Sequence, residues 1–231
     1  MPGWIAYVDD SGFGKISLRG KKVLCLAGDG ELIEIWKKWW TSKVIEIAYP
    51  QVEKPDGGKI SLYAIDIETN EILFHQNLGC VHLDPANSEL QAIFTGSGGT
   101  FALAGWQICK CARTSVTQAM QSDCCSGGSV RFVDFASGMV NIEDTVTKIS
   151  EVNLQLQERG FVMNLNDPSR TAYALSAQDV AQDVANAKAI AASSNDVLSA
   201  PTGNEQIVWD QGTKKRLHGF IERLILEEAG R

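Results

Sequence analysis

The stretch IFTGSGGTFALAGW, residues 93–106, joins a strand-like run to a helix-like run through a turn rich in glycine. A turn of this kind can bind phosphate, because backbone N–H groups and the helix dipole favour an anion there. The dinucleotide fingerprint requires G-x-G-x-x-G, but Phe101 stands where the third glycine belongs. A P-loop would require Lys-Ser or Lys-Thr after the glycines, and neither dipeptide follows them here. The spacing therefore favours a tight turn that lets a helix pack closely on a strand.

Composition limits the class of protein. The chain has 231 residues, of which 44% are hydrophobic and 21% charged, so it can bury a full core. Its net charge of -7 argues against nucleic acid or an anionic membrane as a partner. The first residues lack the pattern of a signal peptide, and no run approaches the roughly 18 apolar residues of a membrane helix. We therefore expect a cytoplasmic protein with neither a nucleic-acid nor a membrane partner.

The six cysteines include two close pairs, Cys109 with Cys111 and Cys124 with Cys125. Without a secretory signal, their expected state is the reduced thiol. Neither pair has the C-x2-C spacing usual for zinc, and the three histidines are scattered along the chain. The sequence therefore predicts no metal site and no cofactor.

Periodicity predicts strands and helices through residue 135. Residues 4–8, 15–18 and 21–28 are strand-like, and 59–76 form a hairpin about the turn ETNE. Residues 29–40 form an amphipathic helix, whose predicted apolar stripe is Leu32, Ile35, Trp36, Trp39 and Trp40.

The region around the opening stretch is predicted to contain two helices between strands. The strand over 90–96 leads into a helix over 100–111, and Ser115 with Gln118 forms a capping box that opens a second helix ending near Ser122. A second glycine turn then leads into a strand at 129–135. Antiparallel strand groups around consecutive helices indicate an α+β fold.

The sequence pattern changes past residue 136, so we divide the chain into a core, 1–136, and a C-terminal extension, 137–231. Residues 150–170 mix strand-like runs with polar loop, 176–193 form an Ala-rich helix, and 193–206 are typical of a linker. The helix at 212–230 aligns Leu217, Phe220, Ile221, Leu224 and Ile225 on one face. This helix either docks on its own domain or contacts another subunit.

The motifs in their order resemble those of a known family. A strand, GSGGTFALAG, two helices ending at Ser122-Asp123, and then SGGSVRFVDF resemble the second half of proteasome β-subunits and bacterial HslV. Upstream, IAYVDD, KISL and VLCLAGDGELIEIWKKWW resemble the family's first motifs. The resemblance covers roughly residues 4–135.

This resemblance implies the four-layer αββα sandwich of N-terminal nucleophile hydrolases, assembled as rings of identical subunits. Such enzymes attack a peptide carbonyl with an N-terminal Thr, Ser or Cys, whose own amine acts as the base. The resemblance also assigns site residues: Lys15 as the supporting lysine, Asp9 or Asp10 as its partner, Ser97, Asp123 and Ser126 as the cluster near the amine, and Gly28 as the oxyanion turn.

The family's nucleophile has no counterpart in this sequence. Only MPGW precedes IAYVDD, and removal of Met1 would expose Pro2, which has no hydroxyl or thiol. An alternative register sets KKVLCLAGDG on the family's second strand, but its start near Phe13 offers no nucleophile either.

We therefore expect a non-catalytic, self-assembling relative that acts as a structural or assembly component, for example in a phage particle. Its C-terminal helices would contact a neighbouring subunit or another protein. An active Thr-, Ser- or Cys-type peptidase or amidase, and a small-ligand binding module, are the alternatives.

Overall fold

The structure, a computed structural model, describes residues 3–76, 79–193, 199–200 and 207–230. It is a mixed α+β fold whose sheets are antiparallel. The strands are β1 Trp4–Tyr7, β2 Ile16–Arg19, β3 Lys22–Asp29, β4 Ile60–Asp66, β5 Ile72–His75, β6 Cys80–Leu83, β7 Leu90–Phe94, β8 Phe161–Asn164, β9 Ala172–Ala174 and β10 Ser199–Ala200. The helices are α1 Gly30–Trp40, α2 Gly99–Cys109, α3 Ala112–Ser122, α4 Ile149–Arg159, α5 Gln182–Ser193 and α6 Gln211–Ala229. Within these described ranges, no helix is both long and apolar enough to cross a membrane.

The chain forms two compact units that are interleaved along the sequence. The described residues of the smaller unit are 3–13, 127–129 and 144–193, and those of the larger unit lie within 14–126, 130–143 and 199–230. Both units therefore contain residues from either side of position 136.

The smaller unit is built on a sheet with the strand order β1-β8-β9. Its core contains Val162 of β8 with Val184 and Ala187 of α5, and Val180 and Ala191 pack against it. The predicted Ala-rich helix is therefore confirmed, although α5 begins at Gln182 rather than at 176.

The strand-like description of residues 150–170 was wrong for its first half, which forms helix α4. Val152, Leu154 and Leu156 alternate with polar residues as in a strand, but in the helix only Val152 is buried and Leu154 is 57% exposed. It ends at Gly160, whose N–H donates to the carbonyl of Leu156, and β8 follows at once.

The larger unit is built on a five-stranded sheet. Strand β3 pairs with β4 along one edge and with β2 and β10 along the other, and β5 extends the sheet beyond β4. Residues from Ile60 to Ala64 are all buried, so both faces of β4 are covered. The one polar residue in this run, Ser61, donates its hydroxyl to Oε1 of Gln76 at 3.3 Å.

Helices α1 and α6 cover one face of this sheet with aromatic side chains. Trp40 stacks on Phe220 with ring centroids 6.4 Å apart, and Phe220 stacks in turn on Phe74 of β5 at 6.1 Å. The Trp209 indole N–H donates to the carbonyl of Ile60 at 2.8 Å. Helix α6 therefore docks on its own unit.

Helix α1 begins at the end of β3, where the Asp29 carboxylate accepts the N–H of Leu32 at 3.0 Å. Leu32, Trp36 and Trp40 are buried as predicted, but Ile35 is 50% exposed. The predicted stripe was wrong there because the buried face is centred between Trp36 and Ile33, and Ile35 lies beyond its edge.

Helices α2 and α3 pack closely against each other and against the hairpin of β6 and β7. A Cβ on Gly105 of α2 would lie 3.3 Å from Cα of Ser115. The predicted capping box was wrong, because α3 already begins at Ala112 and the Ser115 hydroxyl donates to the carbonyl of Cys111. Ser115 therefore lies inside α3 rather than at its cap.

The strand predicted at 129–135 was also wrong. Its described residues make a single bridge, between Val133 and Val140. The Asp134 carboxylate accepts the N–H groups of Ala136 and Ser137, so a tight turn folds the segment back.

One charged contact joins three elements of the larger unit. The Arg19 guanidinium donates to both Glu228 carboxylate oxygens, at 2.5 and 2.7 Å, and to the carbonyls of Trp40 and Ser42. The Arg19 side chain is only 11% exposed, so this fork holds β2, α1 and α6 together in a largely dry site.

We expect Glu228→Ala to lower the free energy of unfolding by about 1–3 kcal/mol, because it leaves a mostly buried guanidinium without its counter-ion. The neighbouring Glu227, 51% exposed and paired with Lys22, is the matched control, and Glu227→Ala should cost less than about 1 kcal/mol. Urea unfolding measures both. Equal losses in the two variants would contradict the special role of Arg19.

Candidate functional site

The glycine turn between β7 and α2 places Ser97 at the start of a helix. Gly96 has a φ of +90°, a region that glycine adopts readily, and its carbonyl accepts the N–H of Gly99 at 3.0 Å. The carbonyl of Gly98 then accepts the first helical N–H, from Ala102. The turn therefore reverses the chain within four residues and points it into α2.

Ser97, Asp123 and Ser126 come together although 26 residues separate the first two. Asp123 ends α3, and its Oδ2 accepts the hydroxyls of Ser97 and Ser126, each at 2.6 Å. Its Oδ1 accepts the backbone N–H of Cys125 at 3.2 Å. The Asp123 residue is only 9% exposed, so a nearly buried carboxylate is satisfied by three donors.

Gly98 is what allows this close approach. A Cβ at this position would lie 2.7 Å from Oγ of Ser126 and 3.3 Å from Cβ of Ala119. Beneath the turn, Phe94, Ala102 and Ala119 form a small apolar core. Two small residues on facing helices therefore let the serine turn and the end of α3 meet.

The cluster is suited to holding its hydroxyls, not to ionising them. A serine nucleophile needs an adjacent base strong enough to accept its proton, and a carboxylate is a weak base towards an alcohol. Among the described residues, both hydroxyls donate to Asp123, and no imidazole or amine is bonded to either.

Lys15 and Gly28 lie elsewhere in the larger unit. The carbonyl of Lys15 accepts the N–H of Leu26 at 2.8 Å, just before β2 begins. Desolvation by burial lowers the pKa of the Lys15 ammonium. Its catalytic assignment stays a prediction.

Gly28 lies within β3, opposite Ile60 of β4 and Ala200 of β10. It has a φ of +113°, and a Cβ there would lie 2.2 Å from the carbonyl oxygen of Lys59. Glycine is therefore required for strand packing, and its role as an oxyanion turn stays a prediction.

Asp9 and Asp10 lie in the smaller unit, after β1. Asp10 has a φ of +42°, and its Oδ2 accepts the Ser129 hydroxyl at 2.6 Å. The Arg159 guanidinium donates to the carbonyls of Asp9 and Asp10, at 2.7 and 3.1 Å. Both aspartates therefore help to order the loop after β1, and the pairing of either with Lys15 stays a prediction.

The cysteines are reduced thiols and differ in reactivity. Burial raises the pKa of Cys25 to about 11, so this thiol is a poor nucleophile. Hydrogen bonds from the hydroxyl and N–H of Thr114 lower the pKa of Cys111, which stands at the N-terminus of α3.

The chain matches no protein-family model, no curated protein and no solved structure. The residues and their geometry therefore carry the functional argument.

We expect Ser97→Ala to lower the free energy of unfolding by about 1–3 kcal/mol, because it removes a hydrogen bond to a nearly buried charge. In an Asp123→Asn background the same substitution should cost less, since its acceptor is already changed. A double-mutant cycle followed by urea unfolding measures this coupling. Thr117→Ala, which removes an exposed hydroxyl from α3, is the control and should show no coupling. A coupling of zero for Ser97 would contradict the cluster.

Proposed function

We propose that this chain is a non-catalytic protein of the proteasome β-subunit and HslV type, which assembles with copies of itself as a structural component. The observation that carries the assembly part is an exposed, uncharged face of helix α2. The fold, the serine cluster and this face each support a different part of the proposal.

The fold part is supported by the larger unit. Helices α1 and α6 cover one face of its sheet, while Val23 and Tyr63 are buried on the other face, at 2% and 6% exposure. A sheet with a helix layer on one side and buried side chains on the other suits an inner layer of an αββα sandwich.

The proposed likeness to the proteasome family is supported by three side chains that lie together although one of them is distant in the sequence. The resemblance predicted that Ser97, Asp123 and Ser126 form one polar cluster, and the three side chains do share hydrogen bonds. A strand, a glycine turn, α2, α3 and a second turn also follow in the order that the resemblance requires, although residues 129–135 do not form the strand that should come next.

The non-catalytic part is supported by the chemistry of the site. Both serine hydroxyls donate to a carboxylate, and the Cys25 thiol is held protonated by its raised pKa. Neither arrangement provides the nucleophile and matched base that acyl transfer needs.

The proposed self-assembly is supported by the exposed side chains of α2. We call the exposed side of this helix the α2 outer face; its members share helical spacing and lack charge, and they are Thr100, Phe101, Ala104, Gln107 and Ile108. Phe101 is 45% exposed and Ile108 83% exposed. A helix that is apolar on both sides normally has both sides covered.

The absence of charge on the α2 outer face favours a second copy of this chain as the partner that covers it. Each copy carries a net charge of -7, so two copies repel each other wherever their acidic surfaces meet. An uncharged apolar face lets identical subunits approach with the least repulsion. A two-fold axis would place the α2 outer face of one copy on the same face of the other.

We expect the wild-type protein to form multimers in light scattering and Ile108→Glu to reduce them at least tenfold in association constant, because the substitution buries a charge in the contact. Leu226→Glu is the matched control: Leu226 is, like Ile108, an exposed aliphatic residue of a helix, at 71% exposure, but it lies on α6. Its association should be unchanged.

Mixing opposite charges tests the two-fold arrangement. An equimolar mixture of Ile108→Glu and Ile108→Lys should recover part of the association that each variant loses alone, because opposite charges then face each other. A monomeric wild-type protein, or equal effects of Ile108→Glu and Leu226→Glu, would overturn self-assembly through this face.

We expect the native protein to hydrolyse none of a panel of fluorogenic peptides, because the hydroxyls of Ser97 and Ser126 donate to a carboxylate and have no base matched to them. Intact mass and N-terminal sequencing of the same sample complete the measurement. Hydrolysis by a chain that begins with Thr, Ser or Cys would overturn the non-catalytic part and favour an active peptidase.

A further inference from the structure

We propose that Asp123, Cys124 and Cys125 form a binding site for a soft divalent metal ion such as Zn²⁺. The carboxylate and the two thiols lie at the end of α3, and their ligand atoms are all within 4.8 Å of one another. Cys124 and Cys125 are half-buried, so an ion can reach them from solvent. The site is separate from the assembly face and does not depend on it.

The distance between the two sulfurs matches the distance expected between two sulfurs that bind one ion. Sγ of Cys124 and Sγ of Cys125 are 3.9 Å apart. Two thiolates on one tetrahedral Zn²⁺, each at about 2.3 Å, are about 3.8 Å from each other. The two sulfurs can therefore bind one ion with almost no change in their separation.

The third ligand is oriented before any ion arrives. The Asp123 Oδ2 accepts hydroxyls from Ser97 and Ser126, and Oδ1 accepts the N–H of Cys125. Outer hydrogen bonds of this kind hold ligating carboxylates in place and tune their affinity. The N–H bond also ties the backbone of one thiol ligand to the carboxylate that would share its ion.

The composition of the site selects the class of ion. Thiolates favour soft or borderline ions over Mg²⁺ and Ca²⁺, which prefer oxygen. Two sulfurs and one oxygen supply three positions of a tetrahedron, so water would take the fourth. Because the thiols must lose their protons to bind, affinity should rise with pH.

This inference departs from the absence of a metal site predicted from the sequence. That prediction rested on cysteine spacing, and adjacent cysteines do not have the spacing of a zinc motif. The contribution of Asp123 depends on how the end of α3 turns, which the spacing does not report.

The test uses the full-length, reduced protein and Cd²⁺ as the probe, because cadmium thiolates absorb in the ultraviolet. We expect the thiolate-to-cadmium band to saturate at one equivalent and to be displaced by Zn²⁺. Combined Cys124→Ser and Cys125→Ser substitution should abolish it. Asp123→Asn should keep the band but weaken binding at least about tenfold, and Ser97→Ala should weaken it less.

The other close cysteine pair is the matched control. Combined Cys109→Ser and Cys111→Ser substitution removes the same number of thiols and should leave the one-equivalent band intact. The proposal is overturned if no saturable band forms, if the band survives loss of Cys124 and Cys125, or if the control variant loses it as well. Unchanged affinity in Asp123→Asn would overturn the carboxylate as a ligand.

Discussion

Burial of both faces of β3 and β4 is the constraint on which the larger unit depends. Such burial requires a layer of large side chains on one face, and Trp40 and Phe220 supply it from α1 and α6. Position 28 of β3 accepts only glycine, because its φ is +113° and a Cβ there would lie 2.2 Å from the carbonyl oxygen of Lys59. Truncating a buried aromatic side chain costs about 3–5 kcal/mol, which exceeds any single hydrogen bond in the unit. The Arg19 fork then joins the ends of the same two helices.

The second organising contact is the Asp123 carboxylate, which joins the serine turn to the end of α3. A nearly buried charge must be surrounded by donors, and here two hydroxyls and one N–H meet that need. The same bonds make both hydroxyls donors to one carboxylate, and they hold that carboxylate within 4.8 Å of the Cys124 and Cys125 thiols.

The candidate site shows where sequence reasoning succeeds and where it stops. Ser97, Asp123 and Ser126 were grouped because their motifs resemble a family in order and spacing, and the three side chains do meet. Ser115 was misplaced because S-x-x-Q is a local signal, whereas α3 already begins at Ala112 and the Ser115 hydroxyl donates to the carbonyl of Cys111 within the helix. Helix α4 was missed because Val152, Leu154 and Leu156 alternate with polar residues, which is the period of a strand and not of a helix.

The sequence by itself determined the amphipathic helices, the hairpin of β4 and β5 and the turn at Gly96, because each depends on neighbours a few residues apart. Only the tertiary structure decided which cysteines stand beside a carboxylate, which face of α2 remains in solvent and which unit α6 joins. These features depend on contacts between residues that are far apart in the chain. Examples are the hydrogen bond between Ser97 and Asp123 and the stacking of Trp40 on Phe220. Periodicity and local propensity do not report such contacts.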